Sequence, residues 1–398
     1  MSVEVRLGSV LETPPKNGYS PKDVPEWTGL KALGLGCLTP RGFAPSQLKN
    51  VPDSVMARRF TLADGDLLMS RANTRELVGL AGRFTQIGAA CIYPDLMMRL
   101  RPRAEQCLPG YLEIVLRSAT VRRAVQAGAR GTSESMVKIS ASLVEDLRIP
   151  LPPLSEQRDI VAAHEAFERR VGALERMLAK VEIAESALSA YALRQVGAAG
   201  PRLDSVATVA AGVTLGSEPV GEGTVELPYL RVANVLDGRI DTTDVKTVRI
   251  VKKQYERYAL RKGDLLLTEG GDLDKLGRGA VWDGHIDECL HQNHVFRVRC
   301  GEQMLPDFLA LYTASPEGRA YFQRVGKQTT NLASINSTQV KQMPVPVPPV
   351  EEQRRLLGPV HAARERAAVL QQQIAKLRTI QQGVIEDLLS GRSRVNRT

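Results

Sequence analysis

Cysteines and aromatic side chains are scarce in this sequence of 398 residues. The 5 cysteines form no Cys-x-x-Cys pair, so neither a disulfide framework nor a four-cysteine zinc site fits them. We interpret them as reduced, mostly buried thiols. Aromatic residues make up only 5% of the chain, which argues against a surface of base-stacking platforms for single-stranded nucleic acid. The cysteines are Cys37, Cys91, Cys107, Cys289 and Cys300.

Long apolar runs and catalytic motifs are also missing. No stretch of about 18 apolar residues occurs, as a membrane helix would need, and the first residues carry no apolar signal segment, so we expect a cytoplasmic protein that contacts no membrane. The chain has no Asn-Pro-Pro-Tyr or Asp-Pro-Pro-Phe methyltransferase motif and no Gly-Lys-Ser/Thr phosphate loop. The DVK at 244–246 matches half of a nuclease metal motif, but no Pro-Asp pair lies shortly before it. We therefore expect a chain that is not itself an enzyme.

The charge is positive and unevenly distributed. The formal net charge is +9, from 53 Lys and Arg against 44 Asp and Glu, and it favours an anionic partner such as nucleic acid. Residues 1–150 carry 20 basic and 14 acidic side chains, a net +6, whereas residues 202–346 carry 18 of each. If both regions bind DNA, the first should attract phosphates more strongly, or the basic residues of the second must gather on one face.

The chain contains an internal duplication, which is seen in four pairs of segments. RLGSV at 6–10 returns as RLDSV at 202–206, and GDLLM at 65–69 returns as GDLLL at 263–267. MRLR at 98–101 returns as FRVR at 296–299, and IPLPPLSEQR at 149–158 returns as VPVPPVEEQR at 345–354. The shift is 196 or 198 throughout, so the protein consists of two copies of a unit of about 197 residues.

Each copy begins with short apolar runs, broken by Gly, Pro, Asn and Asp, that have the length and partial alternation of strands. A few helices lie between them, and each copy ends in a Pro-rich stop followed by a long helix. We predict an α+β protein in which two similar mixed globules are joined by two long helices. The predicted domains are a first globule at 1–152, a central helix at 153–198, a second globule at 199–348 and a C-terminal helix at 349–398.

The two long helices carry apolar residues at alternating spacings of four and three, which is the pattern of a coiled-coil seam. Glu185 and Gln381 interrupt the two seams at the same relative place, either to fix the register or because the seam end is exposed. The second globule starts where the first helix ends, so antiparallel pairing of the helices, each about 38 residues long, closes the chain most simply. The predicted seam includes Phe167, Leu174, Leu178, Val181 and Leu188 in the first helix and Leu370, Ile374, Leu377, Val384 and Leu388 in the second.

Three groups of residues carry a family resemblance. They are the repeated Pro-Pro-x-x-Glu-Gln-Arg entries into the helices, PYLRVANV at 228–235 followed by DGRI at 237–240, and QNHVFRVR at 292–299. Together with the two-module layout, they resemble the specificity subunit of type I restriction-modification enzymes. The first copy departs from this pattern, since GLKAL at 29–33 is a poor copy of the Tyr-Leu-Arg segment.

The resemblance implies a function and a set of partners. Each globule would be a target recognition domain that reads one part of a bipartite, asymmetric site in double-stranded DNA. The helices would act as a ruler and as the docking surface for two methylation subunits, and motor-nuclease restriction subunits would join that complex. S-adenosylmethionine, ATP and Mg²⁺ would bind those partners, and this chain would bind no cofactor.

Two loops in each copy are candidates for contacting DNA, the first because its residues differ between the copies and the second because it carries small hydroxyl and amide groups. Arginine can bind guanine through two hydrogen bonds and asparagine can bind adenine in the same way, while small hydroxyl and amide groups suit phosphates and base edges. A solvated loop, or a set of helix caps and turns, is the competing explanation. The candidates are Arg71, Asn73, Arg75, Lys275 and Arg278 in the first loop and Lys138, Thr329, Thr330 and Asn331 in the second.

Four potential metal ligands lie within ten residues of the second copy, namely His285, Cys289, His291 and His294. The first copy has Ile87, Tyr93 and Leu96 at the three histidine positions. Because the two copies share only the cysteine and the spacing is irregular, we expect no metal site.

Other functions remain open from the sequence. The chain could itself cut or methylate DNA, which turnover without partners would reveal. It could be a coiled-coil scaffold whose globules bind protein, or the specificity half of another bipartite-site methyltransferase or nuclease.

Overall fold

The chain divides into two compact units, each with one globule and a section of both long helices. The computed structural model describes residues 3–131, 136–197, 200–216, 219, 221–328 and 333–393. Unit 1 comprises residues 1–175 together with 372–398, and unit 2 comprises residues 176–371. The four domain boundaries expected from the sequence stay predictions.

Unit 1 is built from short strands and helices around one main sheet. Its strands are β1 (Val3–Arg6), β2 (Lys16–Asn17), β3 (Leu30–Leu33), β4 (Leu38–Thr39), β5 (Gly42–Phe43), β6 (Leu48–Asn50), β7 (Leu67–Ser70), β8 (Ala72–Asn73), β9 (Ala81–Arg83), β10 (Ala90–Ile92), β11 (Met97–Leu100), β12 (Val137–Lys138) and β13 (Arg148–Leu151). Its helices are α1 (Val55–Arg58), α2 (Pro109–Arg117), α3 (Ala119–Gly128), α4 (Ala141–Asp146) and the first part of α5 (Leu154–Val196). The main sheet has the order β2-β11-β7-β9, and a smaller sheet has the order β10-β3-β6.

The central strand β7 contributes side chains to two apolar clusters of unit 1. Its four residues are all buried, because β11 and β9 flank it and side chains cover both faces of the sheet. Leu67 and Met69 belong to one apolar cluster and Leu68 to another, as the two-residue period of a strand requires. Helix α2 starts with Pro109, where a proline costs no hydrogen bond, and it buries Tyr111 in the first of these clusters.

Unit 2 repeats this arrangement. Its strands are β14 (Ala207–Ala211), β15 (Thr224–Leu230), β16 (Lys246–Val251), β17 (Leu265–Thr268), β18 (Gly270–Gly271), β19 (Gly279–Val281), β20 (Leu290–His291), β21 (Val295–Cys300), β22 (Lys327–Gln328) and β23 (Ala333–Ser334). Its helices are α6 (Tyr255–Tyr258), α7 (Pro306–Thr313), α8 (Pro316–Val325), α9 (Ser337–Lys341) and the first part of α10 (Val350–Ser390). The main sheet β14-β21-β17-β19 has the order of its counterpart, and β15 pairs parallel with β20 as β3 does with β10. The predicted internal repeat is confirmed.

The two long helices are antiparallel within unit 1. They contain 43 residues in α5 and 41 in α10, slightly more than the sequence predicts. Arg378 Nη1 lies 2.6 Å from a carboxylate oxygen of Glu168, whereas Ile160, earlier in α5, shares a core cluster with Leu388, later in α10. Gln381 is buried and donates to Glu168 at 2.8 Å, so the polar interruption of this seam is satisfied inside the helix pair.

Unit 2 contains the other section of the same helix pair. Arg364 Nε lies 2.8 Å from Glu185, the polar residue that interrupts the first seam. Ala192, later in α5, shares a core cluster with Leu357, earlier in α10, so the pairing is again antiparallel and the predicted coiled coil is confirmed. No helix in the described ranges combines the length and the apolarity that crossing a membrane requires.

All but one of the predicted seam residues are buried or half-buried in the structure. Leu174, Leu370 and Leu388 are buried, and the half-buried seam residues are Phe167, Leu178, Val181, Leu188, Ile374 and Leu377. Val384 is 36% exposed, and its neighbour Ile385 is buried instead. Here α10 packs Ile385 and Leu388 into the globular core of unit 1, and this contact moves the buried face of the helix by one residue.

Candidate nucleic-acid interface

The two candidate loops of unit 1 lie side by side. Strand β8 pairs antiparallel with β12, so that Asn73 lies opposite Val137 and Lys138 lies opposite Ala72. The Lys138 side chain is exposed. The structure thus pairs the two short strands that carry Asn73 and Lys138, which the sequence assigned to different loops.

The backbone of Arg71 is held from both sides. Its N–H donates to the carbonyl of Leu96 at 2.8 Å, and its carbonyl accepts from the N–H of Ile139 at 3.0 Å. The guanidinium is partly exposed, and its Nη1 donates to the carbonyl of Asp95 at 3.3 Å. Arg71 therefore projects from a fixed backbone at the junction of the two loops, which is the arrangement that a recognition residue needs.

Helix α3 holds the rest of the first loop. Arg75 Nη1 donates to the carbonyl of Gln126 at 3.1 Å, and the carbonyl of Glu76 accepts from Arg122 at 2.6 Å and from the Gln126 amide at 3.3 Å. The amide oxygen of Asn73 accepts from the next backbone N–H at 2.9 Å. Arg75 and Asn73 therefore have partners within unit 1, and a loop held in this way loses less entropy when it binds a ligand.

Unit 2 brings the corresponding loops together in a small sheet. Strand β18 pairs with β23, which also pairs with β22. Gly270 lies opposite Ser334, and Gly271 lies opposite Ala333. The predicted contacts Thr329, Thr330 and Asn331 lie outside the described residues, as do residues 132–135 of the matching loop in unit 1.

Lys275 and Arg278 occupy one turn after β18. Lys275 is exposed and forms an ion pair with Asp272. Arg278 is half-buried, its carbonyl accepts from the N–H of Thr268 at 2.8 Å, and its Nε has no hydrogen-bond partner in the part of the chain that the structure describes. Lys275 is thus the more accessible of these two predicted residues.

A residue that the sequence reasoning missed occupies the position of Arg71 in unit 2. Glu269 donates its N–H to the carbonyl of His294 at 3.0 Å, and its carbonyl accepts from the N–H of Ile335 at 2.8 Å. His294 Nδ1 lies 2.5 Å from a carboxylate oxygen of Glu269. The shift of 198 residues aligns Glu269 with Arg71 and His294 with Leu96, but basic and amide side chains are the ones expected beside DNA, so the alignment alone does not single out a carboxylate.

The Glu-Gln-Arg motif at the start of α5 has a structural role. Gln157 is fully buried. Its amide oxygen accepts from the N–H of Leu108 at 2.8 Å, and its amide nitrogen donates to the carbonyls of Gln106 at 2.8 Å and Pro152 at 2.9 Å. We call these three hydrogen bonds the glutamine clamp. Two of them fasten the start of the long helix to the turn that precedes α2, and the third binds the segment that leads into the helix.

The same clamp occurs at the start of α10. The Gln353 amide oxygen accepts from the N–H of Leu305 at 2.8 Å, and the amide nitrogen donates to the carbonyls of Gln303 and Pro348, each at 2.8 Å. Gln353 is also fully buried. The glutamine of the repeated motif is therefore explained by the joint between helix and globule.

Two residues of the PYLRVANV segment close a loop in unit 2. Asn234 is buried, its amide nitrogen donates to the carbonyls of Asp241 at 2.8 Å and Asp244 at 3.0 Å, and its amide oxygen accepts from the N–H of Arg231 at 2.9 Å. The Arg231 guanidinium lies 2.7 Å from the Asp244 carboxylate. These side chains fix the loop between β15 and β16.

The aspartate of the repeated Gly-Asp-Leu-Leu segment is also structural. Asp264 is 1% exposed and accepts two hydrogen bonds from Arg299 and one from the N–H of Arg261, all at 2.7 Å. In unit 1, Asp66 accepts from the Arg99 guanidinium at 3.2 Å. The segment recurs because this ion pair joins the central strand of the main sheet to its neighbour.

The histidines considered as metal ligands have separate partners. His285 pairs with Asp283, and buried His291 has its Nδ1 2.7 Å from the carbonyl of Val295. Burial raises the pKa of the Cys289 thiol to about 12, which disfavours the thiolate that a metal would need. Among the described residues, no group of three or more His, Cys, Asp or Glu side chains could hold a metal ion.

Comparisons with known proteins point to one family. Residues 201–377 match the family model of the type I restriction modification DNA specificity domain. The chain is 21% identical over 375 residues to the type I restriction enzyme EcoKI specificity subunit of Escherichia coli strain K12, and the match covers 88% of this chain and 79% of that protein. Two solved structures, one of a type I R-M system in work on its complex assembly and conformational transition and one of the S subunit from M. genitalium, align with TM-scores of 0.57 and 0.55 at 18% and 13% identity. The first alignment covers 97% of both chains, the second covers 100% of this chain and 97% of the other, and both show a shared fold.

Proposed function

Because the chain resembles the specificity subunits of type I restriction-modification systems, we propose that it is the non-catalytic subunit that selects the DNA target. Each unit reads one part of a bipartite, asymmetric site in double-stranded DNA. The helix pair sets the distance between the two parts, and partner subunits methylate or cut the DNA. The chain acts in the cytoplasm, where the DNA is.

The observation that carries this proposal is one backbone frame with two different sets of side chains. In both units, a strand that follows the central strand of the main sheet pairs with a strand from the second variable loop. Arg71 and Glu269 occupy the same place in this frame, with the same two backbone hydrogen bonds and opposite charge. Two copies of one frame with different side chains are suited to reading two half-sites of different sequence.

The uneven charge supports unequal roles in DNA affinity. Residues 1–150 have a net charge of +6, while residues 202–346 are neutral. Attraction to phosphates is proportional to the number of charges neutralised and weakens as salt is raised. Unit 1 therefore supplies most of the salt-dependent affinity, and unit 2 relies more on directed hydrogen bonds.

The long helices are the proposed docking surface for two methylation subunits, with motor-nuclease subunits joining that complex. Support comes from apolar side chains that α5 leaves in solvent. Met177, Ile183 and Tyr191 are 43%, 71% and 53% exposed. Large apolar side chains at the surface favour contact with another protein. S-adenosylmethionine, ATP and Mg²⁺ are bound by the partners in this proposal.

Mapping the methylated bases tests the proposal directly. The chain, assembled with the methylation subunits of its own source, is incubated with S-adenosylmethionine and a pool of duplex DNA of random sequence. We expect one bipartite consensus with a fixed spacer, and Arg71→Ala should relax one half-site while the other is unchanged. A contiguous consensus, or none, would contradict the proposal.

Two controls separate the other functions. The chain alone, given DNA, Mg²⁺ and S-adenosylmethionine, should show no turnover, and turnover would mean that it cuts or methylates DNA itself. DNA binding by the complex should fall steeply as salt is raised. Binding that is absent even with the methylation subunits present would favour a scaffold for other proteins.

A further inference from the structure

We infer that Glu269 selects a base in the half-site read by unit 2, where its carboxylate accepts a hydrogen bond from the exocyclic amino group of cytosine. His294 positions that carboxylate. This inference rests on the proposed function, because it assumes that unit 2 reads duplex DNA.

The backbone of Glu269 is held in unit 2 in the same way as that of Arg71 in unit 1. Its backbone has the same two hydrogen-bond partners as Arg71, at 3.0 and 2.8 Å against 2.8 and 3.0 Å, so both side chains leave the same point of the frame. That point lies beside the small sheet in which the two variable loops of each unit meet. Both units hold the backbone of this position in the same way, but unit 1 has a cation there and unit 2 has a carboxylate. Such a position is suited to selecting between bases.

The side chain of Glu269 lies at the surface, beside His294. Its side chain is 29% exposed and that of His294 is 55% exposed, so the pair lies at the surface rather than in the core. The nitrogen–oxygen distance of 2.5 Å orients one carboxylate oxygen towards His294 and leaves the other oxygen to accept a further hydrogen bond. By contrast, buried Asp264 has both oxygens occupied by Arg299.

The donors and acceptors of the bases decide which base a carboxylate can bind. A carboxylate next to DNA is repelled by the phosphates, so its presence in a reading surface requires a donor on the base. In the major groove, cytosine presents an amino donor alone, adenine presents an amino donor beside the N7 acceptor, and guanine presents two acceptors. Beside the adenine amino group, the N7 acceptor would lie close to the carboxylate and repel it, so cytosine is the matching base.

The test uses substitutions that the frame already accommodates. Glu269→Arg and His294→Leu place in unit 2 the side chain types that unit 1 carries at Arg71 and Leu96. Glu269→Gln keeps the shape and adds a donor. The full chain, assembled with its methylation subunits, is assayed on the random duplex pool, and the matched control is Glu226→Gln, an exposed carboxylate on β15 that binds Arg249 at 3.0 Å.

The expected result is a change at one base of one half-site. Glu269→Gln should move the preference from cytosine to adenine and Glu269→Arg should move it to guanine, each by about 5- to 150-fold, the discrimination of a good side chain to base contact. His294→Leu should reduce the preference at the same base only. The other half-site should not change, and Glu226→Gln should match the unsubstituted chain. The remaining bases of the half-site read by unit 2 should also be kept, which shows that unit 2 is folded in each variant.

Three results would overturn the inference, and they can be told apart. If the unsubstituted complex yields a bipartite consensus and all three variants yield the same one, Glu269 selects no base and the proposed function stands. If the variants weaken binding to all sequences equally, the pair only supports the loop. If the unsubstituted complex yields no consensus, the proposed function fails and this inference with it.

Discussion

Replacing Gln157 with leucine should destabilise unit 1 more than any surface substitution in the same unit. The substitution keeps the approximate volume of the side chain but removes all three hydrogen bonds of the clamp. The N–H of Leu108 and the carbonyl of Pro152 would then lie at the joint between helix and globule without a partner. The carbonyl of Gln106 belongs to an exposed residue, so water can replace its donor.

The magnitude follows from the two groups that remain unsatisfied. A buried polar group left without a partner costs about 1–3 kcal/mol, and the added leucine recovers a small part by apolar burial. We therefore expect a loss of about 2–4 kcal/mol in the free energy of unfolding of unit 1. For a unit of this size, the melting temperature should fall by roughly 4–16 °C.

Differential scanning calorimetry of the full chain, with urea unfolding as a second measurement, checks this expectation. Gln373→Leu is the matched control, because Gln373 is exposed on α10 within unit 1. It should change stability by less than about 0.5 kcal/mol. Gln353→Leu should reproduce the effect in unit 2, with exposed Gln195→Leu as its control.

The Gln157→Glu substitution tests how much the two hydrogen bonds donated by the side chain contribute to stability, because it keeps the one that the side chain accepts. The new carboxylate can still accept from Leu108, but it faces the carbonyls of Gln106 and Pro152 without a hydrogen to donate. Burial against these oxygens should raise its pKa above the unfolded value of about 4.3, so this variant should approach wild-type stability as the pH falls through that raised pKa. The reasoning is refuted if Gln157→Leu costs no more than Gln373→Leu.

Three further predictions concern ion pairs and a buried histidine. Arg378→Glu should cost unit 1 about 1–2 kcal/mol in urea unfolding, since Glu168 would face a like charge, and adding Glu168→Arg should recover part of that loss. Asp264→Asn should cost unit 2 about 2–4 kcal/mol by calorimetry, because it leaves a partly buried Arg299 without its carboxylate. Burial lowers the pKa of His291 to about 4, so between about pH 6.5 and 4 only the unfolded chain takes up this proton and the stability of unit 2 should fall with pH, a dependence that His291→Gln should reduce in melting experiments.

Each of these has an opposing outcome. If the reversed ion pair is as unstable as Arg378→Glu alone, the helix pair gains nothing from this contact. If Asp264→Asn leaves the melting temperature of unit 2 unchanged, the recurrence of the Gly-Asp segment needs another cause. If His291→Gln leaves the acid dependence unchanged, other groups are responsible for it.

Much of the fold could be predicted because its signals are patterns that can be read along the chain. The repeat shows as a constant shift, and the helices show as a spacing of four and three. The seam failed only at Val384, where α10 turns Ile385 into the core of unit 1 and contact with the globule outweighs the heptad pattern. The first candidate loop could be proposed from the sequence, because aligning the two copies shows that its residues differ, and its role in reading DNA stays a prediction.

The candidate site could be predicted only in part. Comparing the copies led to Arg71, but the same comparison did not single out Glu269, because a carboxylate is not the expected side chain beside DNA. The family-like residues Arg231 and Asn234 could have been taken for ligand contacts, yet they close a loop. Which polar side chains are free to act depends on the partners they already have, and these are not visible in the sequence.

The sequence by itself determined that this protein is two copies of one unit, each a globule followed by a long helix, because recurrence and helical spacing are patterns along the chain. The tertiary structure alone decided which groups meet. Gln157 binds main-chain groups 49 and 51 residues away, and Glu269 meets His294 across 25 residues. Contacts at such separations form only when the sheets close and the helix docks, so the chemistry of the joint and of the candidate interface depends on folding.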